Sequence, residues 1–147
     1  MSKITTDDLQ KNLDDSQNID TYLQTNQNEL TDKKVSEYLK ELLKEKGMTR
    51  KQIANTQSTS ESYVYQLFQG RRFKPSRNKL LAIAFAMKLN LEQTNRLLKI
   101  ANLGTLYPRR VRDSIIIFAL NKGYDVFECS EMLEQKGLES IIEEVKK

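Results

Sequence analysis

The sequence predicts an all-α protein, and three observations carry that prediction. Apolar residues recur at helical spacing along most of the chain, residues that cap helix N-termini precede these stretches, and the five glycines stand singly where the stretches end. No segment shows the alternation of a half-buried strand. With 147 residues, 38% of them apolar, the chain can build a core of its own. We therefore expect short helices with short connections.

Residues 1–32 differ in composition from the rest of the chain. They are rich in Asn, Gln, Asp, Ser and Thr, and they hold seven acidic residues against two Lys. Thr5 and Asp8 have the spacing of a capping box, and Leu9 and Leu13 stand four residues apart, which is typical of a weakly amphipathic helix. We interpret residues 1–32 as an acidic polar arm that is partly helical or disordered.

Three helices are predicted between residue 31 and residue 70. The first buries Val35, Leu39 and Leu42 on one face and ends at Gly47. Two short helices follow, and their N-terminal caps are Thr49 and Ser60. The second of them ends at Gly70, a residue type that favours helix C-termini.

The central part of the chain predicts two further helices. Ser76 opens one whose apolar residues from Leu80 to Met87 occupy more than one side, as in a helix at the centre of a bundle. Asn90 and Gln93 have capping-box spacing for the next helix, which ends before Gly104.

The last third of the chain predicts three more helical stretches. Pro108 suits the first turn of a helix that Gly123 ends. Asp125 and Glu128 form a capping-box pair for a second helix, and Leu138 begins a final amphipathic stretch that includes Val145. Residues 115–118 are all apolar and so face every side of their helix. The outer side therefore needs cover, which we expect a second subunit to provide.

Composition excludes several classes of chemistry. The chain has no His, no Trp and a single Cys, Cys129, which we interpret as a small buried residue. The isolated glycines make no phosphate-binding loop, and neighbouring carboxylates such as Asp7 and Asp8 point apart on a helix. We therefore predict no catalytic residues, no metal site, no cofactor and no enzyme activity.

The sequence also bears on location. The longest uninterrupted apolar run, residues 115–120, has six residues, whereas a membrane helix needs about 20. The amino terminus turns acidic where a secretory signal becomes apolar. We expect a cytoplasmic protein with no membrane partner.

Charge is segregated along the chain. Residues 33–112 hold 18 Lys and Arg against five acids, whereas the segments on both sides are net acidic. A basic block between acidic arms indicates a footprint for a polyanion.

The segment from Thr49 to Lys79 supports a resemblance to a known family. Residues 49–54 (TRKQIA), 60–70 (SESYVYQLFQG), 71–76 (RRFKPS) and 80–84 (LLAIA) resemble the lambda-repressor/Cro-like (XRE family) helix-turn-helix domain. The match extends over about residues 33–90. Two features depart from the family. Gln57, Ser58 and Thr59 stand where it usually has Leu, Gly and Val, and Glu61 is an acid at the exposed start of the second short helix.

The resemblance implies a five-helix lambda-repressor-like bundle with additional C-terminal helices. Residues 33–105 would then form a helix-turn-helix DNA-binding domain, and residues 106–147 a helical extension for dimerisation or regulation. The family binds double-stranded DNA as a dimer with its second short helix in the major groove. A homodimer and double-stranded DNA are the implied partners, and the C-terminal helices are a possible surface for a protein partner.

That placement assigns roles to single residues. The predicted base-reading residues are Glu61, Ser62, Tyr65 and Gln66. The predicted DNA-backbone contacts are Thr49, Arg50, Lys51, Ser60, Tyr63, Arg71, Arg72, Lys74 and Arg77. For both tyrosines, ordinary partial burial is the alternative.

Two questions stay open at the level of sequence. The cluster formed by Arg109, Arg110 and Arg112 can extend a DNA footprint, pair with the acidic arm or lie near a helix C-terminus. The function is sequence-specific transcriptional regulation on the first interpretation. On the second it is a protein-interaction adaptor or inhibitor that has a helix-turn-helix fold and does not read DNA, which the polar turn, Glu61 and the acidic arms favour. The operator, the regulated genes and the signal cannot be read from the sequence.

Overall fold

The computed structural model of the chain describes residues 4–25, 31–56, 58–71 and 75–142, with side chains from Val35 onward in the helix that begins at Thr31. Within these ranges the protein is all-α, as predicted, and no strand occurs. The helices are α1 (Thr6–Asp15), α2 (Ile19–Thr25), α3 (Thr31–Lys46), α4 (Arg50–Ala54), α5 (Glu61–Gln69), α6 (Arg77–Ala86), α7 (Leu91–Ile100), α8 (Val111–Lys122) and α9 (Val126–Gln135).

Helix α6 is the centre of the bundle. Every residue from Leu80 to Ala86 is buried, which confirms the prediction from its apolar pattern. Helix α3 packs against α5 and α7, α4 packs against α5, and α7 packs against α6. A helix that is apolar on all sides must lie inside a protein, and the surrounding helices give α6 that position.

The predicted helix caps are present. The side chains of Thr49, Ser60, Ser76 and Asn90 each accept a hydrogen bond from the backbone N–H three residues on, and each begins a helix. Asp125 does the same for α9. These bonds satisfy backbone donors that a helix cannot pair internally, so the local sequence decides where each helix begins.

Gly70 ends α5 in the left-handed conformation, with φ of 69°. A Cβ atom there would lie 3.3 Å from Cβ of Ser36, a buried residue of α3. The Ser36 hydroxyl donates a 2.6 Å hydrogen bond to the carbonyl of Phe68. Backbone conformation and close packing therefore both favour glycine at this position.

Helices α8 and α9 share the core of α3–α7. Ile116 and Leu133 are fully buried in the same apolar cluster as α6, and α9 contacts α6 while α8 contacts α7. Cys129 is buried there too, as predicted, and burial raises the pKa of its thiol to about 11 although the charge of Arg112 lowers it.

Helix α8 begins three residues later than the sequence predicted. Pro108 lies in a turn, and Arg110 is the residue before the helix and makes no side-chain cap. The turn is held by the Arg110 N–H, which donates to the Tyr107 carbonyl, and by the Ser114 hydroxyl, which bonds the carbonyls of Pro108 and Arg110. These bonds favour the turn over an earlier helical start.

The predicted final helix is wrong over residues 138–142, which are irregular. The carbonyl groups of Glu139 and Ser140 accept hydrogen bonds from the Arg112 guanidinium, so this side chain takes the place of intrahelical donors. Ile141 nevertheless reaches the core. Val145, which the same prediction included, lies outside the described residues.

Helices α1 and α2 stand apart from this core. Thr5 and Asp8 form the predicted capping box, and neither helix buries a residue. Within the described ranges, no helix combines the length and the apolar character needed to cross a membrane.

Candidate functional site

Helix α5 separates its residues cleanly between two faces. Val64, Leu67 and Phe68 are buried against the bundle, whereas Ser62 and Gln66 are exposed. The Gln66 amide lies 3.4 Å from the Ser62 hydroxyl, a long hydrogen bond between successive turns of the helix. The two side chains therefore lie next to each other on the outer face, with polar atoms accessible to a partner.

The start of this face carries an acid. Glu61 is the first residue of α5 and is exposed. The side chain of Ser60 caps the helix by accepting the N–H of Tyr63, so its hydroxyl oxygen is engaged within the helix end. Glu61 thus lies where a helix N-terminus favours negative charge.

Helix α4 brings positive charge to the same surface. The guanidinium carbon of Arg50 lies 5.2 Å from the ring centre of the half-buried Tyr65, a cation–π contact between α4 and α5. Lys51 is exposed beside Arg50. Thr49 is the N-cap of α4, and its capping box with Gln52 fixes how that helix begins. We call the exposed side chains Arg50, Glu61, Ser62 and Gln66, together with the half-buried Tyr65, the outer face of α4–α5.

The end of α5 adds one more described cation. Arg71 is exposed, and its Nε donates a 2.9 Å hydrogen bond to the Gln69 side chain two residues earlier. The remaining guanidinium nitrogens form no hydrogen bond that the described structure records. The predicted backbone contacts Arg72 and Lys74 lie outside the described residues.

The turn between α4 and α5 is polar, as its sequence indicated, and its described residues are packed. The Thr56 hydroxyl bonds the Ile53 carbonyl and lies 2.9 Å from the Ser58 hydroxyl. Ser58 and Thr59 are both buried. Hydroxyl groups therefore tie the turn to the end of α4, while Gln57 lies outside the described residues.

Tyr63 faces away from the outer face, which corrects its predicted role as a DNA-backbone contact. The ammonium group of Lys79 on α6 lies 5.4 Å from its ring centre. Its hydroxyl is buried beside Ser76, and this burial raises the pKa of Tyr63 while a hydrogen bond from the Ser76 backbone lowers it. The physical reason is tertiary, because Tyr63 lies at the border between the buried and the outer face of α5, and its contacts with Lys79 and Ser76 place it toward α6.

Arg77 also departs from its predicted role as a phosphate clamp. Its guanidinium forms a two-bond ion pair with Asp113 of α8, at 3.1 and 3.0 Å, and donates to the carbonyls of Gly104 and Thr105. Four of its five N–H donors are thereby engaged within the protein. Arg77 joins α6 to the segment between α7 and α8 and is not part of the outer face.

Asp113 is the acid that makes this junction. Only 5% of its side chain is exposed, and it also accepts the N–H of Tyr107. Burial raises the pKa of Asp113, but the hydrogen bonds from Arg77 and Tyr107 and the charges of Arg77 and Arg110 outweigh it, so the pKa lies below the usual value of 3.8. The carboxylate is therefore held in its charged form.

The sequence analysis missed two residues that position the site. Ser36 ties α3 to the end of α5, and nothing in its local sequence distinguishes it from an exposed serine. Asp113 did leave a signal, because it is the single acid among residues 93–124, a segment whose other charged residues are all basic. A lone acid of that kind indicates an internal partner for an arginine.

Two further sequence predictions concern a metal site and the cluster of arginines before and within α8. Among the residues described, no group of three potential ligands from Cys, Asp and Glu lies close enough to hold a metal ion. Of the arginine cluster, Arg112 is internal and bonds Asn78 on α6, whereas Arg109 and Arg110 are exposed.

Comparisons with protein-family models, with curated proteins and with solved structures find no match to this chain. The chemistry of the outer face of α4–α5 is therefore the basis for assigning a function. This surface offers amide, hydroxyl and carboxylate groups on one helix, with Arg50 over Tyr65 and Arg71 after the end of that helix. It is suited to a polar, negatively charged partner.

Proposed function

We propose that this protein is a sequence-specific DNA-binding transcriptional regulator that reads the major groove with α5. The observation that carries the proposal is the outer face of α4–α5, where Ser62 and Gln66 are exposed, Arg50 lies over Tyr65 and Arg71 follows the end of α5. A face of this kind combines groups that recognise base edges with groups that neutralise phosphates.

The proposed docking follows from helix and groove dimensions. An α-helix with its side chains is about 10–12 Å wide, and the major groove is about 12 Å wide. Gln66 has the donor and acceptor needed for a two-bond contact with adenine, Ser62 serves a base or a phosphate, and Glu61 accepts a hydrogen bond from the amino group of cytosine. Tyr65 supplies an apolar contact for a thymine methyl group.

The phosphate contacts in this proposal are fewer than the sequence analysis assigned. Arg50, Lys51 and Arg71 are exposed around the outer face, whereas Arg77 serves the interior. Each of the three exposed cations would release counterions on binding, which makes affinity fall as salt rises.

We further propose that α3–α7 form a lambda-repressor-like five-helix bundle in which α4 and α5 are the helix-turn-helix pair. Two features support this arrangement: the two short helices pack on each other, and α3 packs against α5, whose inner residues are buried. Two copies would place their α5 helices in half-sites about 34 Å apart on one side of the duplex.

The test is a titration of random duplex DNA at about 50 mM and about 200 mM salt, followed by selection of bound sequences. We expect a linear fall of the logarithm of affinity with the logarithm of salt, and enrichment of one pseudo-palindromic site. Absence of binding at the lower salt concentration would contradict the proposal. Binding without enrichment would leave a DNA-binding protein but contradict sequence-specific reading.

A second candidate function is an adaptor that uses the same helices to bind a protein. The exposed Glu61 favours it, since an acid at the leading end of α5 repels phosphates unless it meets a hydrogen-bond donor. A Glu61→Gln variant separates the two. On a reader of DNA it raises affinity for random duplexes and alters the selected sequence, whereas on an adaptor it leaves DNA binding undetectable.

A further inference from the structure

The outer side of α8 and α9 holds an open apolar groove. It has a volume of about 370 Å³, and its apolar lining comes from Pro108, Val111, Ile115, Phe118 and Met132. Val111 is 66% exposed and Phe118 44% exposed, although other apolar residues of α8 reach the core. The cause lies in the sequence, because four consecutive apolar residues cannot all point inward on one helix. The groove is thus suited to a partner that supplies apolar side chains.

The charged side chains that line this groove are both basic. Arg109 stands at the turn before α8, and Lys136 follows α9. Arg110, next to Arg109, is exposed as well. A partner with negative charge is therefore favoured, and contact between two copies of the groove would bring like charges together.

The amino-terminal arm of the chain has the complementary properties. Helix α1 buries none of its residues, and Leu9 and Leu13 stand on one side of it four residues apart. Leu13 is 40% exposed. The acids of α1 are Asp7, Asp8, Asp14 and Asp15, and its one basic residue is Lys11. Helix α1 is therefore a short acidic helix whose apolar stripe is only partly covered, with Leu9 half-buried and Leu13 exposed.

We propose that α1 of one copy of this chain docks in the α8–α9 groove of a second copy, and that the second copy reciprocates. The inference deepens the proposed dimeric regulator and rests on it for the need for two copies. The contact is of the helix-in-groove kind, with Leu9 and Leu13 as anchors and the acids of α1 beside Arg109 and Lys136.

The second copy is favoured over the chain's own arm by the structure of the single chain. There the groove is open and α1 buries no residue, so the two surfaces are uncovered in the same molecule. A reciprocal exchange covers both surfaces twice and gives a closed two-fold dimer. It also explains why a net acidic arm belongs to a chain whose groove is lined by cations.

The test uses full-length variants in analytical ultracentrifugation without DNA. The arm variant carries Leu9→Ser and Leu13→Ser, and the groove variant carries Phe118→Ser. We expect wild type to dimerise at tens of micromolar, roughly the range where weak dimers appear. Each variant should raise the dimer dissociation constant about tenfold or more. Phe127→Ser is the matched control, because Phe127 is equally exposed on α9 but does not line the groove.

Mixing the two variants distinguishes this interface from others. The arm variant keeps an intact groove and the groove variant keeps an intact arm, so the mixture forms a heterodimer with one good contact. We therefore expect more dimer in the mixture than in either variant alone. Equal amounts would contradict an arm-in-groove exchange, as would a wild-type protein that stays monomeric or variants that dimerise as wild type does.

Two further measurements separate a lost interface from a lost fold and from lost DNA binding. Unfolding by denaturant verifies that each variant is folded, which is expected because all three sites are exposed or partly exposed. Affinity for random duplex DNA reports on the outer face of α4–α5, which these substitutions do not touch. Loss of dimer with DNA binding that is weaker but still measurable therefore supports the interface, whereas absence of DNA binding in a dimeric wild type contradicts the proposed function alone.

Discussion

Arg71 and Arg77 stand six residues apart in the same basic stretch, yet the fold uses them in opposite ways. Among the described residues, the exposed Arg71 guanidinium donates one hydrogen bond, to Gln69, whereas the Arg77 guanidinium donates four, to Asp113 and to two backbone carbonyls. The sequence predicted a phosphate contact for both. Charge at the right distance from a DNA-reading helix is therefore insufficient to assign a DNA contact.

The two arginines differ in the hydrogen-bond acceptors that the fold brings to their guanidinium groups. Arg77 is the first residue of α6, and the end of α7 and the start of α8 bring carbonyl groups and a buried carboxylate to it. Arg71 follows α5 on the surface, and among the described residues its guanidinium donates to one acceptor, the Gln69 side chain. A guanidinium that finds a carboxylate in a fork geometry is held there, and one that does not remains available to a ligand.

The largest effect should come from Arg77→Ala. It leaves the buried carboxylate of Asp113 without its partner, and we expect the free energy of unfolding to fall by about 3 kcal/mol, the lower end for a broken buried pair because Arg77 is 27% exposed. Chemical denaturation measures the change. The matched control is Arg71→Ala, for which a change beyond about 0.5 kcal/mol would erase the distinction between the two arginines.

Gln66→Ala should have the next largest effect, and on binding rather than stability. Loss of a two-bond contact with a base costs about 1–3 kcal/mol on the preferred site and little on random duplexes. The same change at Gln135, which is exposed at the end of α9, serves as control. An equal loss on both kinds of DNA would mean that Gln66 positions the helix and does not read the sequence.

Arg71→Ala should change the salt dependence of DNA binding by a smaller amount. Each phosphate contact contributes about 0.9 to the slope of log affinity against log salt, so removal of one contact flattens the slope by about that value. Titrations of random duplex at several salt concentrations give the slope. Arg77→Ala, measured on folded protein, should leave the slope unchanged, and an equal flattening would return Arg77 to the DNA interface.

The smallest expected effect is on acid stability. The pKa of Asp113 lies below its usual value of 3.8, so its charged form stabilises the folded state above that pH, and the contribution is lost as pH falls through the folded-state pKa. The effect is modest because burial opposes the stabilising contacts. Unfolding curves between about pH 5 and about pH 2 should show a shallower loss for Asp113→Asn than for wild type. If wild type and Asp113→Asn lost stability in parallel as pH falls, Asp113 would not be the cause of the loss.

Local sequence accounted for much of the architecture. The helix starts at Thr49, Ser60, Ser76 and Asn90 were predicted because a cap satisfies backbone groups within three residues of itself. The predicted start of α8 was wrong because side chains and carbonyl groups of residues 107–114 form hydrogen bonds that favour a turn instead. The helix predicted over residues 138–142 does not form, because carbonyl groups in this stretch accept hydrogen bonds from Arg112, which is distant in sequence.

The residues of α5 differ in how far the sequence alone could predict the direction of their side chains. Helical period alone places Ser62 and Gln66 on one side of α5 and Val64 and Leu67 on the other, and the structure has them so. Tyr63 lies between these two sets, and whether it faces outward or toward α6 depends on Lys79 and Ser76. Residues at the border of a helix face are decided by their neighbours in space.

The sequence by itself determined the all-α class, the places where most helices begin and end, the buried centre at α6 and the polar outer side of α5. These depend on interactions within one or two helical turns, which the chain carries wherever it folds. Tertiary structure alone decided that Arg77 and Arg112 serve the interior, that Asp113 is the buried partner of Arg77, that the α8–α9 groove lies open and that α1 buries no residue. Each of these depends on groups brought together from distant parts of the chain, and hydrogen-bond partners at such separations leave little trace in local composition.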